Sequence, residues 1–214
     1  MVKYDITFVR HGQTDLNSRK AFQGISDAPL NELGREQARF TGKFLKNQNE
    51  TFDLTLCSPL LRTIQTAEII QQYIPISIIA EPLLRERSYG IFEGKNPTEL
   101  EKECPEILAE YQKNKPFVRP PQGETALDVE ERIRTLFWEV IPKKYPNHYK
   151  ILCVAHLNPV RAMLHLLNLT DREIYYREFK NTSVTRISTD LKDGKIILLD
   201  FSCMEDTACA LEAK

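Results

Sequence analysis

Two histidines each follow an apolar run of the kind that forms a buried strand. His11 follows residues 6–9 and Arg10, in the letters FVRHG, and His156 follows residues 151–155, in CVAHL. A histidine after a strand is more often a hydrogen-bonded structural residue, but neutral imidazole is also a good nucleophile near pH 7. Ligands of parallel sheets bind beyond the carboxyl ends of the strands, so both imidazoles are predicted to reach that edge.

Groups that bind an oxyanion accompany these histidines. Arg10 supplies a planar guanidinium fork that matches phosphate oxygens. Gly12 lets the backbone turn sharply and approach a ligand closely, and the amide of Asn17 follows. Arg62 lies at the start of a predicted helix, directly after a buried strand. A solvated helix arginine is the ordinary interpretation of Arg62, and a second phosphate clamp is the alternative.

Four motifs in order resemble the histidine phosphatase superfamily, the phosphoglycerate mutase-like group. The match spans residues 5 to about 190 and includes the RHG at Arg10 and the S-P-x-x-R-x-x-Q-T-A run from Ser58. It continues with the L-R-E-R-x-Y-G-x-x-E-G run from Leu84 and the Ala-His pair that ends at His156. Taken alone, the carboxylate of Glu86 between Arg85 and Arg87 would suggest a surface ion pair. Within this set of motifs, it suggests part of an active site.

The resemblance implies a role for each matching residue. His11 would be the nucleophile that becomes phosphorylated, and Glu86 would protonate the leaving oxygen, a contribution of ~10²–10⁴-fold in rate. Arg10, Arg62 and His156 would grip the phosphoryl oxygens. Substrate contacts are expected from Asn17, Gln23, Gly24, Tyr89, Lys95 and Leu157. No Asp, His and Cys cluster has ligand spacing, so we predict a reaction without metal or cofactor.

Leu157 departs from the family pattern, which usually has glycine after the second histidine. A side chain there would narrow the pocket or alter the local backbone. The backbone N–H can still point at phosphate, so we expect activity. A non-catalytic module that binds a phosphorylated ligand is the alternative raised by Leu157.

Two charged motifs distinguish the mutases of this group from its phosphatases, and both are absent from this sequence. Mutases of the group carry G-L-N-K after the Y-G segment and two adjacent arginines in the insertion. Here Gly94-Lys95-Asn96-Pro97 follows, and residues 98–123 contain no adjacent arginines. We therefore predict a phosphomonoesterase for a small sugar phosphate or bisphosphate, with a cofactor-dependent phosphoglycerate mutase as the alternative. Four cations could meet a second anionic group, although each alone suggests a solvated residue: Lys95, Lys113, Lys115 and Arg119.

Strands and helices alternate along the chain, which predicts a three-layer α/β sandwich. Its central sheet would be mostly parallel, with helices on both faces. We predict strands over 6–9, 52–57, 76–80 and 151–155, and a closing hairpin of 183–188 and 195–201 across Asp193-Gly194. We predict helices over 31–45, 58–70, 124–141 and 159–167, with Asn31 and Ser58 as N-caps. Five prolines mark 91–123 as a lid insertion in a single domain, 1–203, before a tail, 204–214.

The composition is ordinary for a globular cytosolic protein. The chain has 214 residues, 42% of them hydrophobic and 28% charged, and a formal net charge of -1. That charge offers no global attraction to nucleic acid or membrane. The N-terminus lacks the apolar core of a signal peptide, and five scattered cysteines suggest reduced structural thiols. We expect a cytoplasmic protein whose partner is a small phosphorylated metabolite; the sequence leaves the oligomeric state open.

Overall fold

A six-stranded sheet forms the centre of the computed structural model, which describes residues 3–147, 149–191 and 194–201. Its strand order is β3-β2-β4-β1-β5-β6. Strands β1 to β4 are parallel to one another, and β5 and β6 are antiparallel additions at one side, which confirms a mostly parallel sheet. The strands are β1 Tyr4–Arg10, β2 Leu54–Cys57, β3 Ile78–Ala80, β4 Lys150–Ala155, β5 Val184–Thr189 and β6 Gly194–Phe201.

Both faces of the sheet are covered by helices, as a three-layer sandwich requires. The helices are α1 Asp15–Ser18, α2 Glu32–Asn47, α3 Leu61–Gln71, α4 Pro97–Glu103, α5 Pro105–Lys113, α6 Ala126–Arg134, α7 Ile141–Lys144 and α8 Leu157–Leu166. Strand β4 shows why its apolar run lacks alternation. Ile151 and Cys153 pack in one core with α6 and α8, whereas Leu152 and Val154 pack in a second core with α2 and α3. A strand buried on both faces needs apolar residues at every position.

The N-cap of α2 was predicted correctly, and that of α3 was not. Asn31 accepts a hydrogen bond from the Gly34 N–H at 2.9 Å. Helix α3 begins at Leu61 rather than at Ser58-Pro59, and Ser58 makes no cap bond to it. The Ser58 N–H still bonds to the Val154 carbonyl, so this residue continues the strand ladder. The Asp27 carboxylate, from a distant loop, accepts from the Leu61 N–H at 2.6 Å instead.

The long helix predicted over 124–141 is present but interrupted. It begins after the N-cap Thr125, which forms a capping box with Asp128, two residues later than predicted. Thr135–Val140 then forms a π-helical turn that joins α6 to α7. Pro142 in α7 lacks the N–H that an α-helical ladder would need, and the neighbouring Ile141 N–H bonds five residues back to Leu136. The last predicted helix starts at Leu157, two residues earlier than expected.

The proline-rich segment 91–123 forms its own small core beside the sheet. Helices α4 and α5 bury Phe92, Leu100, Leu108 and Tyr111 against the aromatic ring of Phe22 and its neighbours. A lid movement of this segment stays a prediction, as do the domain limits. Asp193 of the predicted hairpin and the tail after Cys203 lie outside the described residues. Over the described part of the chain, no helix is long and apolar enough to cross a membrane.

Candidate active site

The two strand-end histidines meet at the carboxyl edge of the sheet. Arg10 and Ala155 are register partners on the neighbouring parallel strands β1 and β4, and the His11 N–H continues the ladder to the Ala155 carbonyl. The imidazole of His11 therefore lies beside that of His156, with 5.1 Å between ring centroids and 61° between ring planes. The convergence expected from the sequence is what the structure shows.

A hydrogen bond to its own segment orients the His11 ring. Nδ1 lies 2.7 Å from the Gly12 carbonyl oxygen, which can only accept, so Nδ1 carries the ring hydrogen. Nε2 is then the nitrogen with the lone pair. The His11 carbonyl accepts from the Thr182 N–H at 3.2 Å and from the Asn181 side-chain amide at 3.1 Å. These contacts hold the backbone that carries the ring.

Both imidazoles are neutral near pH 7. Burial lowers the pKa of His11 well below its usual value, and the positive charges of Arg62 and Arg10 lower it further. Burial likewise lowers the pKa of His156, and the positive charges of Arg62 and Arg10 lower it further. A neutral ring is the nucleophilic form, so this environment keeps His11 competent to attack an electrophile.

Arg62 is fully buried, and the backbone of the loop before α2 holds its guanidinium. Nη1 donates to the Ser26 carbonyl at 2.8 Å and Nη2 to the Gly24 carbonyl at 2.6 Å. Burial lowers the pKa of Arg62 to about 10, so the group stays charged at neutral pH. A guanidinium has five N–H donors, and these two bonds leave three for an anion. Arg10, which precedes His11 in the chain, donates from Nη1 to the Phe179 carbonyl.

His156 is paired with Ser58. Its Nε2 lies 2.8 Å from the Ser58 Oγ, and its Nδ1 is buried without a hydrogen-bond partner among the described residues. When the Ser58 hydroxyl donates to Nε2, the ring hydrogen sits on Nδ1 and is free to bind an oxyanion. Ser58 thus contacts the candidate site rather than capping α3. No sequence signal distinguished these two uses of a serine after a strand.

The carboxylate of Glu86 is held through one oxygen. Oε1 accepts from the Arg87 N–H at 2.8 Å, the Asn158 N–H at 3.3 Å and the Asn158 side-chain amide at 2.9 Å. Oε2 has no hydrogen-bond partner within the part of the chain that is described, and Glu86 lines the cavity next to His11. The Asn158 amide also lies 3.3 Å from the Tyr89 hydroxyl. Asn158 was not among the predicted site residues.

A small cavity of about 170 Å³ opens onto His11. Its lining includes most of the predicted substrate contacts but neither Arg62 nor His156. The lining residues are Arg10, His11, Asn17, Lys20, Ala21, Phe22, Gln23, Gly24, Glu86, Tyr89 and Leu157. A second cavity of about 640 Å³ shares six of these residues, Arg10, Asn17, Lys20, Ala21, Tyr89 and Leu157. Leu157 lines both cavities and therefore lies where they adjoin; narrowing of the pocket by its side chain stays a prediction.

Glu93 belongs to the run that starts at Leu84 and had no predicted role; its hydrogen bonds connect the walls of the small cavity. Its carboxylate accepts from the Ile25 N–H at 3.1 Å, the Ser26 hydroxyl at 2.7 Å and the Tyr89 N–H at 2.9 Å. Gly24 has a φ of +52°, and a Cβ on it would lie 2.1 Å from the Glu93 Oε1. Only glycine fits here, which explains the Gln-Gly pair in the sequence.

Asn17 and Gln23 are fixed by Thr14. The Asn17 Oδ1 accepts from the Thr14 N–H at 3.2 Å, and the Gln23 Oε1 accepts from the Thr14 hydroxyl. Both residues line the small cavity, and their contact with substrate stays a prediction.

Lys95 is the one predicted substrate contact that the structure places elsewhere. It forms an exposed ion pair with Glu103 and lines neither cavity, although its carbonyl accepts from the Phe22 N–H. Lys113 and Arg119 are likewise paired, with Glu110 and Asp128. Of the four cations considered for a second anionic group, Lys115 alone lines either of these two cavities, namely the larger one.

The family model of the histidine phosphatase superfamily (branch 1) matches residues 6–201. The chain belongs to this superfamily. The superfamily contains relatives with two kinds of activity in their names. An uncharacterized phosphatase of Bacillus subtilis, PhoE, is 33% identical over 182 residues, 85% of this chain and 86% of the relative. A 2,3-bisphosphoglycerate-dependent phosphoglycerate mutase of Bartonella henselae is 30% identical over 195 residues, 89% and 94% of the two chains.

Solved structures of superfamily members share this fold. A mycobacterial glucosyl-3-phosphoglycerate phosphatase, solved with VO3, has a TM-score of 0.80 at 25% identity and covers 93% of this chain and 100% of its own. An Escherichia coli protein described as an alpha-ribazole-5'-P phosphatase has a TM-score of 0.82 at 22% identity, with 93% and 97% coverage, and shows the fold alone. The protein is thus a superfamily member of the phosphatase or mutase kind.

Proposed function

We propose that the protein is a phosphomonoesterase that hydrolyses a small sugar phosphate or bisphosphate through a phosphohistidine at His11. The observation that carries the proposal is the hydrogen bond from the His11 Nδ1 to the Gly12 carbonyl. It leaves Nε2, with its lone pair, as the reactive atom of a buried, neutral imidazole whose pKa is lowered by burial and by the charges of Arg62 and Arg10. A nucleophile held this way can split one difficult displacement into two easier ones.

In the first step, the Nε2 of His11 attacks the phosphorus atom of the ester. A nitrogen–phosphorus bond forms while the bond from phosphorus to the alcohol oxygen breaks. An alkoxide is a poor leaving group, so Glu86 delivers a proton to that oxygen and the neutral alcohol departs. Oε2 is the oxygen available for this proton, because three N–H donors already occupy Oε1.

In the second step, water attacks the phosphohistidine. The Glu86 carboxylate takes a proton from the water, the nitrogen–phosphorus bond breaks, and inorganic phosphate and free His11 remain. Glu86 returns to its protonated state, so one water is consumed for each ester. Charge that develops on the phosphoryl oxygens is stabilised by Arg10 and Arg62 and by a ring N–H of His156, in a site largely shielded from water.

The test compares two histidine variants of the full chain. His11→Gln should abolish release of phosphate from p-nitrophenyl phosphate and abolish an acid-labile phosphoenzyme trapped after rapid quench. His165→Gln is the matched control, because His165 lies at the far end of α8, where its Nδ1 is 2.9 Å from the Glu130 carboxylate. Activity in the control should match wild type, resist EDTA and be inhibited by vanadate, which mimics a pentacoordinate phosphorus. Wild-type turnover in His11→Gln would refute the mechanism.

Phosphoglycerate mutase is the second candidate, and the 30% identical Bartonella relative is the observation that favours it. A mutase must keep a bisphosphate in the site while it reorients, and must exclude water. A coupled assay started with 3-phosphoglycerate, with and without 2,3-bisphosphoglycerate, separates the two functions. Hydrolysis is supported if phosphate release exceeds formation of 2-phosphoglycerate; the reverse result assigns the protein to the mutases. If wild type binds phosphate but neither turns over an ester nor forms a phosphoenzyme, the non-catalytic module is correct.

The substrate proposal rests on the volume beyond the small cavity and on the similarity to a glucosyl-3-phosphoglycerate phosphatase. A phosphorylated metabolite of the cytoplasm is proposed, in keeping with the buried free thiols of Cys57 and Cys153. A panel of sugar phosphates, nucleotides and phosphoglycerates ranked by kcat/KM would identify the preferred class.

A further inference from the structure

The larger cavity adjoins the small one and is placed to receive the alcohol part of a phosphate ester. The two share Arg10, Asn17 and Tyr89 among their lining residues. An ester whose phosphorus lies against His11 therefore extends its leaving group into the larger space. That space, about 640 Å³, lies within the roughly 300–1,000 Å³ of typical ligand sites.

Positive charge dominates the lining of the larger cavity. Five cations line it, Arg10, Lys20, Arg87, Lys115 and Arg161, against one carboxylate, that of Glu178. The chain as a whole has a formal net charge of -1, so this is a local concentration of charge. Such a cleft focuses an attractive potential on an anionic ligand.

The three arginines are already engaged by the backbone. Arg87 donates from all three guanidinium nitrogens to the carbonyls of Glu124, Lys115 and Val118. Arg161 donates twice to the Arg177 carbonyl, and Arg10 donates to the Phe179 carbonyl. These bonds fix the walls of the cavity, and the Arg87 contact places the Lys115 segment.

The ammonium groups of Lys20 and Lys115 differ from the other lysines near the site. Neither has an ion pair or hydrogen bond among residues 3–147, 149–191 and 194–201, whereas Lys95 and Lys113 are paired with Glu103 and Glu110. Lys20 lies between the two cavities, because it lines both, and Lys115 lines only the larger one. An unpaired ammonium group on a cavity wall is suited to a ligand carboxylate or phosphate.

We propose that Lys20 and Lys115 bind a second anionic group on the leaving alcohol, so that preferred substrates are phosphate monoesters that carry another carboxylate or phosphate. The proposal rests on the proposed function, because it assumes that the reacting phosphate binds at His11. The rings of Tyr89, Tyr111 and Phe179 line the same cavity and provide apolar surface for the carbon skeleton between the two anions.

Matched substrate pairs test the proposal. 3-Phosphoglycerate and glycerol 3-phosphate differ in a carboxylate against a neutral hydroxymethyl group, and fructose 1,6-bisphosphate and fructose 6-phosphate differ in a second phosphate. We expect wild type to prefer the more charged member of at least one pair by about tenfold or more in kcat/KM, as for a charge-assisted hydrogen bond. The pair with the larger preference tells carboxylate from phosphate.

Variants then assign the preference to the two lysines. Lys20→Gln and Lys115→Gln should each reduce the ratio of charged to neutral kcat/KM severalfold, and the double variant should bring the ratio close to one. Lys113→Gln, two residues from Lys115 and already paired with Glu110, should keep the wild-type ratio. Equal use of both members by wild type, or an unchanged ratio in the double variant, would overturn the proposal. Absence of phosphate release from every ester, p-nitrophenyl phosphate included, would instead reject the proposed hydrolase.

Discussion

The side-chain amide of Asn158 lies 2.9 Å from the Oε1 of Glu86. The backbone N–H of Asn158 donates to the same oxygen at 3.3 Å. Asn158 follows the strand-end His156 by two residues. The junction of β4 and α8 therefore determines both the position of the His156 ring and the orientation of the Glu86 carboxylate. We expect Asn158 to position Glu86 as the proton donor.

Asn158→Ala should reduce activity in a way that depends on the leaving group. An alkyl phosphate needs a proton on its departing oxygen, whereas p-nitrophenolate leaves without one. Misplacing Glu86 should therefore lower kcat/KM by about tenfold or more for glycerol 3-phosphate, and by much less for p-nitrophenyl phosphate. The ratio kcat/KM reports the steps up to departure of the alcohol, so hydrolysis of the phosphoenzyme does not obscure the comparison.

Two controls separate positioning from general damage in this experiment. Glu86→Gln should show the same dependence on the leaving group, with a larger loss for the alkyl ester. The free energies of unfolding of wild type and Asn158→Ala, measured in urea, should agree to within the cost of the two hydrogen bonds of the Asn158 amide, about 2 kcal/mol. Equal losses for both esters in Asn158→Ala would contradict a positioning role.

Stability should fall as the pH drops below about 6.5, because two buried histidines must be protonated on unfolding. The pKa of His11 and that of His156 are lowered in the folded protein, chiefly by burial. Below pH about 6.5, the pKa of histidine in the unfolded chain, the unfolded chain binds protons that the two buried histidines of the native state do not bind. The free energy of unfolding therefore decreases until the pH reaches the lowered pKa values.

Urea unfolding at pH 7.5 and at pH 5.5 measures this effect. His156→Gln should reduce the difference between the two pH values, because one of the responsible groups is removed. The comparison is internal to each variant, so a uniform loss of stability in His156→Gln does not affect the conclusion. A pH difference as large in the variant as in wild type would show that other groups are responsible.

The fold was largely predictable because its signals are local. Continuous apolar runs identified strands buried on both faces, and Asn31 identified the start of α2. The start of α3 was not predictable, because the Leu61 N–H is capped by Asp27, which lies 34 residues earlier in the chain. A cap supplied from another loop leaves no pattern next to the helix that it stabilises.

The candidate site was predictable where strand ends set the position of a side chain. His11 and His156 meet because β1 and β4 are neighbours in register. Lys95 lines neither cavity, because its long, surface-exposed side chain pairs with the nearby Glu103, a contact that the motif spacing did not indicate. Ser58 and Glu93 act through contacts between segments distant in sequence, which residue spacing alone does not specify.

Leu157→Ala should widen the passage between the two cavities, because the Leu157 side chain lines both. Activity toward a bulky ester such as naphthyl phosphate should increase relative to that toward glycerol 3-phosphate. Leu157→Gly should open the passage equally but reduce stability further, by about 1 kcal/mol, since glycine is a poor residue in the first turn of α8. An unchanged ratio of the two esters in both variants would show that Leu157 does not limit access.

Gly24→Ala should damage the site through Glu93. Gly24 and Gly94 both have positive φ, +52° and +82°, which costs a residue with a side chain about 1–2 kcal/mol. A Cβ at Gly24 would also lie 2.1 Å from the Glu93 Oε1, whereas one at Gly94 has nothing within 4 Å. Gly94→Ala therefore controls for backbone strain alone.

Displacement of Glu93 releases the bonds to Ile25 and Ser26, and the shifted loop carries the two carbonyls that hold Arg62. We expect Gly24→Ala to lower kcat/KM for p-nitrophenyl phosphate well beyond Gly94→Ala, even where the two urea midpoints are alike. Equal activities in the two alanine variants would show that the contact between Gly24 and Glu93 does not position the phosphate clamp.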